Sequence, residues 1–267
     1  MSRINAIFSH LRARKTKALM PFICGGYPAP GATERMLPAL ERGGASIVEI
    51  GFPFSDPIAD GPVIAAAMHE ALLKGATPGS VLDEIKRARG SLKLGLVSMV
   101  SVSIVWRYGP EKLIADSKAA GVDGFIFPDL IVEEATDLLG KVRDAGMTAS
   151  LLVAPTTPAA RAERIVKACT GFVYVLARSG ITGESSSAPD IGPRVKSLRG
   201  MTDLPIACGF GIATADHVRQ VVHAGGADAA IVGSALVRRV SDAVASGKET
   251  ALAAESFTRE LAQGLES

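Results

Sequence analysis

Arg42-Gly43-Gly44-Ala45-Ser46-Ile47-Val48 is the stretch from which the fold is read. A charged helical segment stops at glycine, which takes the left-handed conformation without a Cβ penalty. A short apolar strand then starts at once, as short helix-to-strand loops require. The same transition recurs at Ala120-Gly121-Val122-Asp123-Gly124-Phe125-Ile126, at Ala145-Gly146-Met147-Thr148-Ala149-Ser150-Leu151, and at Ala224-Gly225-Gly226-Ala227-Asp228-Ala229-Ala230.

Working outward from these punctuation marks gives eight strands, near 18–23, 46–50, 94–101, 123–127, 148–153, 172–176, 204–208 and 228–232. Most are continuous apolar runs rather than alternating ones, the pattern of parallel strands covered on both faces. Helical patterns separate them at 31–42, 62–74, 110–120, 132–145, 158–169, 213–223 and 234–245, with extra helices at 2–14, 78–89 and 249–264. Eight strand–helix units define an α/β chain folded as a single (β/α)8 TIM barrel with extra helices. The domain is expected to span 1–267, with 1–14 an N-terminal extra helix. An open doubly wound sheet is the structural alternative, but no Gly-x-Gly-x-x-Gly follows the first strand.

Bulk properties narrow the function. The 267 residues are 48% hydrophobic and 21% charged, enough for a large core and unlike a disordered chain. A net charge of +2 without a dense basic run argues against a nucleic-acid partner. Cys24, Cys169 and Cys208 are scattered, with no zinc spacing, and read as buried free thiols of a reducing cytoplasm. No metal site is expected. No apolar run approaches the roughly 20 residues that cross a membrane, and the basic N-terminus lacks the core of a signal peptide.

In a barrel of this kind chemistry sits at the C-terminal ends of the strands. The second strand runs into Glu49-Ile50-Gly51-Phe52-Pro53-Phe54-Ser55-Asp56-Pro57-Ile58-Ala59-Asp60-Gly61. Alternation places Glu49 on the face opposite Val48 and Ile50. Asp60 arrives from the following loop, and a pair of carboxyls can divide the work of acid and base. Taken singly, Glu49 is also readable as an interior ion-pair member and Asp60 as a turn cap. Tyr174, on the sixth strand, shares a face with Phe172 and Leu176, although a packed tyrosine is equally consistent with that position. Thr182-Gly183, Cys208-Gly209-Phe210-Gly211-Ile212 and Val232-Gly233-Ser234 follow strands six, seven and eight. Glycine-bearing loops there and a helix starting at Ser234 suit a phosphate group. His10, His69, His217 and His223 fall on helices and read as solvated. Trp106 reads as a packing residue between strand and helix.

The run from Val48 to Gly61 resembles the signature of the tryptophan synthase alpha chain family. Pro21-Phe22, Gly61-Pro62-Val63-Ile64, Pro128-Asp129-Leu130, Ala154-Pro155-Thr156-Thr157-Pro158, Gly180-Ile181-Thr182-Gly183, Gly209-Phe210-Gly211-Ile212 and Gly233-Ser234-Ala235 extend the resemblance over nearly the whole chain. The resemblance implies retro-aldol cleavage of indole-3-glycerol phosphate to indole and glyceraldehyde 3-phosphate. No cofactor is implied in this chain. The implied partner is a beta chain carrying pyridoxal phosphate, in a cytoplasmic αββα heterotetramer. Carried over by position, Glu49 moves protons, Asp60 faces the indole N–H, and Tyr174 lines the site. Thr182 belongs to a lid. Gly183, Phe210, Gly211, Gly233 and Ser234 hold phosphate. Phe22, Ile64, Met99 and Ile126, with Phe210, wall the indole, and Asp56 and Pro57 face the partner. A free-standing indole-3-glycerol phosphate lyase and a non-catalytic phosphosugar-binding barrel are the alternatives.

The chain departs from the family at Val100-Ser101-Val102-Ser103-Ile104, where Thr-Tyr-x-Asn-Pro is usual, and at Ile131-Val132, where a proline-rich turn is usual. Both departures lie near the face expected to meet the beta chain, and bear on the docking surface, the coupling between subunits or the rim of the indole pocket.

Overall fold

The computed structural model describes residues 2–57, 60–177, 190–209 and 211–266. Nine strand segments are all parallel: β1 (Ala18–Cys24), β2 (Ile47–Gly51), β3 (Gly95–Met99), β4 (Gly124–Ile126), β5 (Thr148–Ser150), β6 (Leu152–Val153), β7 (Val173–Leu176), β8 (Ile206–Gly209) and β9 (Ala229–Val232). Their order is β5-β4-β3-β2-β1-β9-β8-β7-β6. The two ends of that series, β5 and β6, are separated in the chain by Leu151 alone. They are one interrupted strand, so the sheet closes on itself as the (β/α)8 barrel. The expected strand 148–153 is this pair, with β4 bonded to its first half and β7 to its second.

Helices α1 (Arg3–Ala13), α2 (Ala32–Arg42), α3 (Pro62–Leu73), α4 (Pro78–Arg89), α5 (Val102–Tyr108), α6 (Pro110–Ala120), α7 (Thr136–Asp144), α8 (Ala159–Ala168), α9 (Gly192–Arg199), α10 (Ala215–Arg219), α11 (Ser234–Ala245) and α12 (Thr250–Ala262) accompany the strands. Proline occupies the first turn of α3, α4, α6 and α9, where its missing N–H costs nothing. Two helical expectations and one strand expectation change. The pattern at 132–145 yields a helix only from Thr136. The pattern at 213–223 is split into α10 and a π-helical turn, Gln220–Ala224. The strand expected to run to Ser101 stops at Met99, because Ser101 caps α5. Neither α5 nor α9 was anticipated, since one is seven residues long and the other is weakly patterned.

Inside the barrel, Met20, Ile47, Val97, Ile126, Phe172 and Ile231 pack together. Helix α1 adds Ile4 and Phe8 to the same cluster, and the Phe8 and Phe172 ring centroids lie 6.1 Å apart. The N-terminal helix therefore plugs one mouth of the barrel, and the opposite mouth is left for chemistry.

One ionic device holds that plugged end at two places. Arg89, at the end of α4, donates to the Leu94 carbonyl at 3.0 Å and approaches Asp123 at 3.8 Å; Asp123 accepts from the Leu96 N–H at 2.9 Å. Arg199, at the end of α9, donates to the Leu204 carbonyl at 3.0 Å and bonds Asp228; Asp228 accepts from the Ile206 N–H at 2.8 Å. Each aspartate also meets a cation from the N-terminal segment, Arg3 at 3.5 Å or Lys17 at 3.6 Å.

A second buried acid fixes the loop after β1. Gly31 precedes α2 and has no side chain with which to cap it. Glu84, on α4, supplies the cap instead: Oε1 accepts from the Gly31 N–H at 2.6 Å and Oε2 from the Thr33 N–H at 2.9 Å. Replacing Glu84 with alanine strips both donors, and each orphaned group costs about 1–3 kcal/mol. A urea titration of Glu84→Ala is expected to show a loss of unfolding free energy of that order. Glu84→Gln, which keeps one good acceptor, is expected to fall between it and the parent chain.

Candidate active site

A cavity opens at the C-terminal mouth of the barrel, lined by Glu49, Asp60 and Tyr174 and walled by Phe22, Ile64, Met99, Pro128, Leu152, Ile212 and Ile231. Gly211, Gly233 and Ser234 complete its rim. Register explains the convergence. Glu49 pairs with Phe22 on one side and Val97 on the other, and Tyr174 pairs with Leu152 and Ala207. Strand neighbours at one level share a face, so these side chains point inward together.

Glu49 is 1% exposed, and neither carboxyl oxygen has a hydrogen-bond partner among the described residues. Burial pushes its pKa up to about 8, and the nearby Asp60 carboxylate adds to the rise. Burial also lifts Asp60, up to about 6. The Tyr174 hydroxyl is held well above its usual range, first by burial and then by the charges of Glu49 and Asp60. Around neutral pH the site thus contains a protonated carboxyl, an ionised one and a neutral phenol.

Gly209 explains how Tyr174 reaches this position. A Cβ on Gly209 would lie 2.6 Å from the Tyr174 oxygen, so only glycine on β8 leaves room for the ring. Gly211, with φ of +78°, turns the chain away from β8 in a conformation that side chains rarely adopt. Ser234 opens α11 behind Gly233, which offers no side-chain cap. The first-turn N–H groups of a twelve-residue helix therefore face the cavity rim, where they and the helix dipole favour an anion.

The expected residues thus divide into four groups. Glu49, Asp60, Tyr174, Phe22, Ile64, Met99, Gly211, Gly233 and Ser234 line one cavity. Ile126 is not among them; it is fully buried in the interior cluster that also includes Tyr174 and Ile231. Asp56 and Pro57 line an adjoining hollow. Thr182, Gly183 and Phe210 lie outside the described residues. Pro128, Leu152, Ile212 and Ile231 were not anticipated as wall residues. For Leu152 and Ile231 the inward alternation of their strands was a usable signal.

Two other expectations are corrected. His217 is buried rather than solvated, with its Nδ1 3.3 Å from the Ala213 N–H, because α10 presses against the C-terminal segment. Trp106 is 57% exposed rather than packed, since α5 turns it outward. The three cysteines are buried and free. Among the described residues no cluster of His, Cys, Asp or Glu is suited to a metal ion, and no helix is long and apolar enough to cross a membrane.

The departure at Val100–Ile104 has a local explanation. The Ser101 hydroxyl donates to Asp129 Oδ2 at 2.6 Å, and the Val102 N–H donates to Oδ1 at 2.9 Å. Ser101 Oγ also accepts from the Ser103 N–H at 3.2 Å. The serine and Asp129 together satisfy the start of α5, so the unusual residues build a well-capped helix.

A closed parallel barrel with a buried glutamate, a half-buried aspartate and an anion-favouring rim defines a (β/α)8-barrel enzyme working by acid–base chemistry on a small anionic substrate. The model of the family "Tryptophan synthase alpha chain" matches residues 8–266. The chain is 41% identical over 266 residues to the tryptophan synthase alpha chain of Solibacter usitatus (strain Ellin6076), covering 99% of this chain and 98% of that one. Its structure is similar to tryptophan synthase subunit alpha from Legionella pneumophila str. Paris, with a TM-score of 0.91 at 30% identity, covering 100% and 99% of the two chains. It is also similar to tryptophan synthase from M. tuberculosis in an aminoacrylate-bound form, with a TM-score of 0.86 at 32% identity and full coverage of both chains. The chain belongs to the tryptophan synthase alpha chain family.

Proposed function

We propose that the chain is the alpha subunit of a tryptophan synthase, a lyase that cleaves indole-3-glycerol phosphate to indole and glyceraldehyde 3-phosphate. The indole passes to a beta subunit for synthesis of L-tryptophan. The pyridoxal phosphate of the assembly belongs to that beta subunit, and this chain needs no cofactor of its own. The whole chain works as one barrel domain in the cytoplasm, as part of an αββα heterotetramer. The observation that carries the reading is the buried, unpartnered Glu49 beside Asp60 in a cavity whose rim favours an anion.

The chemistry follows from the charge states. Indole leaves as a carbon group only after its C3 is protonated. Glu49, protonated near neutral pH, gives that proton and becomes a carboxylate. Protonation puts positive charge on the ring, which Asp60, ionised, stabilises through the indole N–H. As the C3–glycerol bond breaks, the glycerol hydroxyl loses its proton to the Glu49 carboxylate and becomes the aldehyde. The bonding pair returns to the ring, and Glu49 ends protonated as it began. Tyr174 lines the closed wall. Gly211, Gly233 and Ser234 hold the phosphate, joined by Gly183 and Phe210, while Thr182 acts in the lid. Asp56 and Pro57 face the beta chain.

An indole-release assay on indole-3-glycerol phosphate, with and without a beta chain, tests the reading. Slow release alone and strong acceleration by the partner is the expected result. Fast release without the partner favours a free-standing lyase, and no release in either condition overturns the proposal.

A further inference from the structure

The cavity that holds Glu49 and Asp60 is small, about 50 Å³. A cavity that takes up benzene in a protein core is about 150 Å³. An indole ring therefore enters only if a wall yields. Phe22, Ile64 and Ile231 are buried in packed core and have nowhere to go. The wall formed by Asp60, Met99 and Pro128 is different, because the same three residues also line a second hollow of about 430 Å³. Beyond that wall the hollow is bounded by the apolar side chains of Phe52, Phe54 and Met68, by the small Ser101 and Ser103, and by Asp56, Pro57 and Asp129. Met99 is partly buried and is the adaptable member of the wall, since a methionine side chain is unbranched and rotates with little strain.

We propose that the hollow behind Met99 extends the aryl-binding site, so that the chain cleaves indolyl glycerol phosphates carrying a small substituent on the benzo ring. The inference rests on the functional reading above, in which Asp60 meets the ring nitrogen. Asp60 borders both spaces, so the ring edge next to that nitrogen faces the wall between them. A methyl or chloro group on that side of the benzo ring passes Met99 into the hollow instead of meeting packed core. Phe52, Phe54 and Met68 offer it the apolar surface that such a substituent requires. Ser101 and Ser103 keep the space open. Ser101 is held back against Asp129 by its hydrogen bond, and the short side chain of Ser103 leaves the far side unfilled.

The test compares kcat/KM for indole-3-glycerol phosphate and its 6-methyl analogue in the complex with the beta chain. A pocket with no room for a methyl group discriminates by about 10–200-fold. The expected result is that the two substrates differ by less than about fivefold. Ser103→Tyr fills the hollow from its far side and leaves the Ser101–Asp129 bond in place. It is expected to lower the analogue-to-parent ratio of kcat/KM by about tenfold or more. Ser101→Tyr is a second filling variant, at the cost of that bond. Turnover of the parent with rejection of the analogue by the unsubstituted chain overturns the inference. So does an analogue-to-parent ratio unchanged in a folded Ser103→Tyr chain. Failure to cleave the parent substrate overturns the functional reading instead, so the two failures are distinguishable.

Discussion

A Glu49→Gln chain is expected to fold, to bind the phosphorylated substrate, and to release almost no indole. Glutamine matches glutamate in shape but has no proton to give to carbon and no carboxylate to take one back. A positioned acid or base contributes about 10²–10⁴-fold to a rate. Glu49 serves as both in one turnover, so the loss is expected at or beyond the upper end of that range. Single-turnover measurement of indole release against saturating substrate checks it, and turnover within tenfold of the parent chain would remove Glu49 from the mechanism. The same substitution is expected to change stability in the opposite sense. The folded-state pKa of Glu49, about 8, lies above the ordinary value of 4.5. The folded chain therefore holds a proton that the unfolded chain has lost between those two values. Stability contributed by this group is complete below about 4.5 and falls away as pH rises toward 8. Glutamine cannot ionise, so Glu49→Gln should become more stable relative to the parent across that window, by an amount on the order of a few kcal/mol. Thermal unfolding of the two chains at pH 5 and pH 8.5 reads this difference. Equal behaviour at both values would mean that Glu49 is not buried as a neutral acid.

Asp60→Asn is expected to cost about 10²–10³-fold in kcat, the usual loss when one stabiliser of developing charge is removed. Asparagine accepts a hydrogen bond from the indole N–H but cannot oppose the positive charge on the ring. Its signature is in the pH profile. For the parent chain kcat/KM should rise as Asp60 ionises near 6 and fall as Glu49 loses its proton near 8. The two carboxyls influence each other, so both limbs belong to the pair. In Asp60→Asn the rising limb disappears. The falling limb moves to lower pH, because the charge that helped to raise Glu49 is gone. A profile that only scales downward, with both limbs in place, would assign the limbs to other groups. Phosphate-ion protection of the cavity rim should be little changed in this variant, since Gly211, Gly233 and Ser234 are untouched.

Much of this was legible before any coordinates. The glycine-stopped helices and uninterrupted apolar strands carry the barrel, because closure needs only eight such units with buried faces. The inward placement of Glu49 was legible from the alternation of its strand, on which it faces away from Val48 and Ile50. What escaped the sequence was set by tertiary context. Helix α5 is too short for its period to register, and it exists because Asp129, from the next loop, caps it. Ile126 pairs with the wall residue Met99 and yet is fully buried, because the cluster that covers it comes from other strands and not from its own sequence. His217 carried no sign of burial, since the partner that covers α10 comes from the far C-terminal segment.

The two Arg–Asp clamps at the plugged end have a consequence for rigidity. Arg89 with Leu94, Leu96 and Asp123, and Arg199 with Leu204, Ile206 and Asp228, are one device built twice, with the arginine five positions before the leucine each time. The first clamp ties β3 to β4 and the second ties β8 to β9, on opposite sides of the ring. Each clamp fixes a strand pair at the end remote from the cavity. One anchors β3, which carries Met99 into the cavity wall, and the other anchors β9, which leads to Gly233 and Ser234 at the rim. The two parts of the mouth that meet the aryl ring and the anion are thus braced from the far end of the same strands, like the legs of one frame.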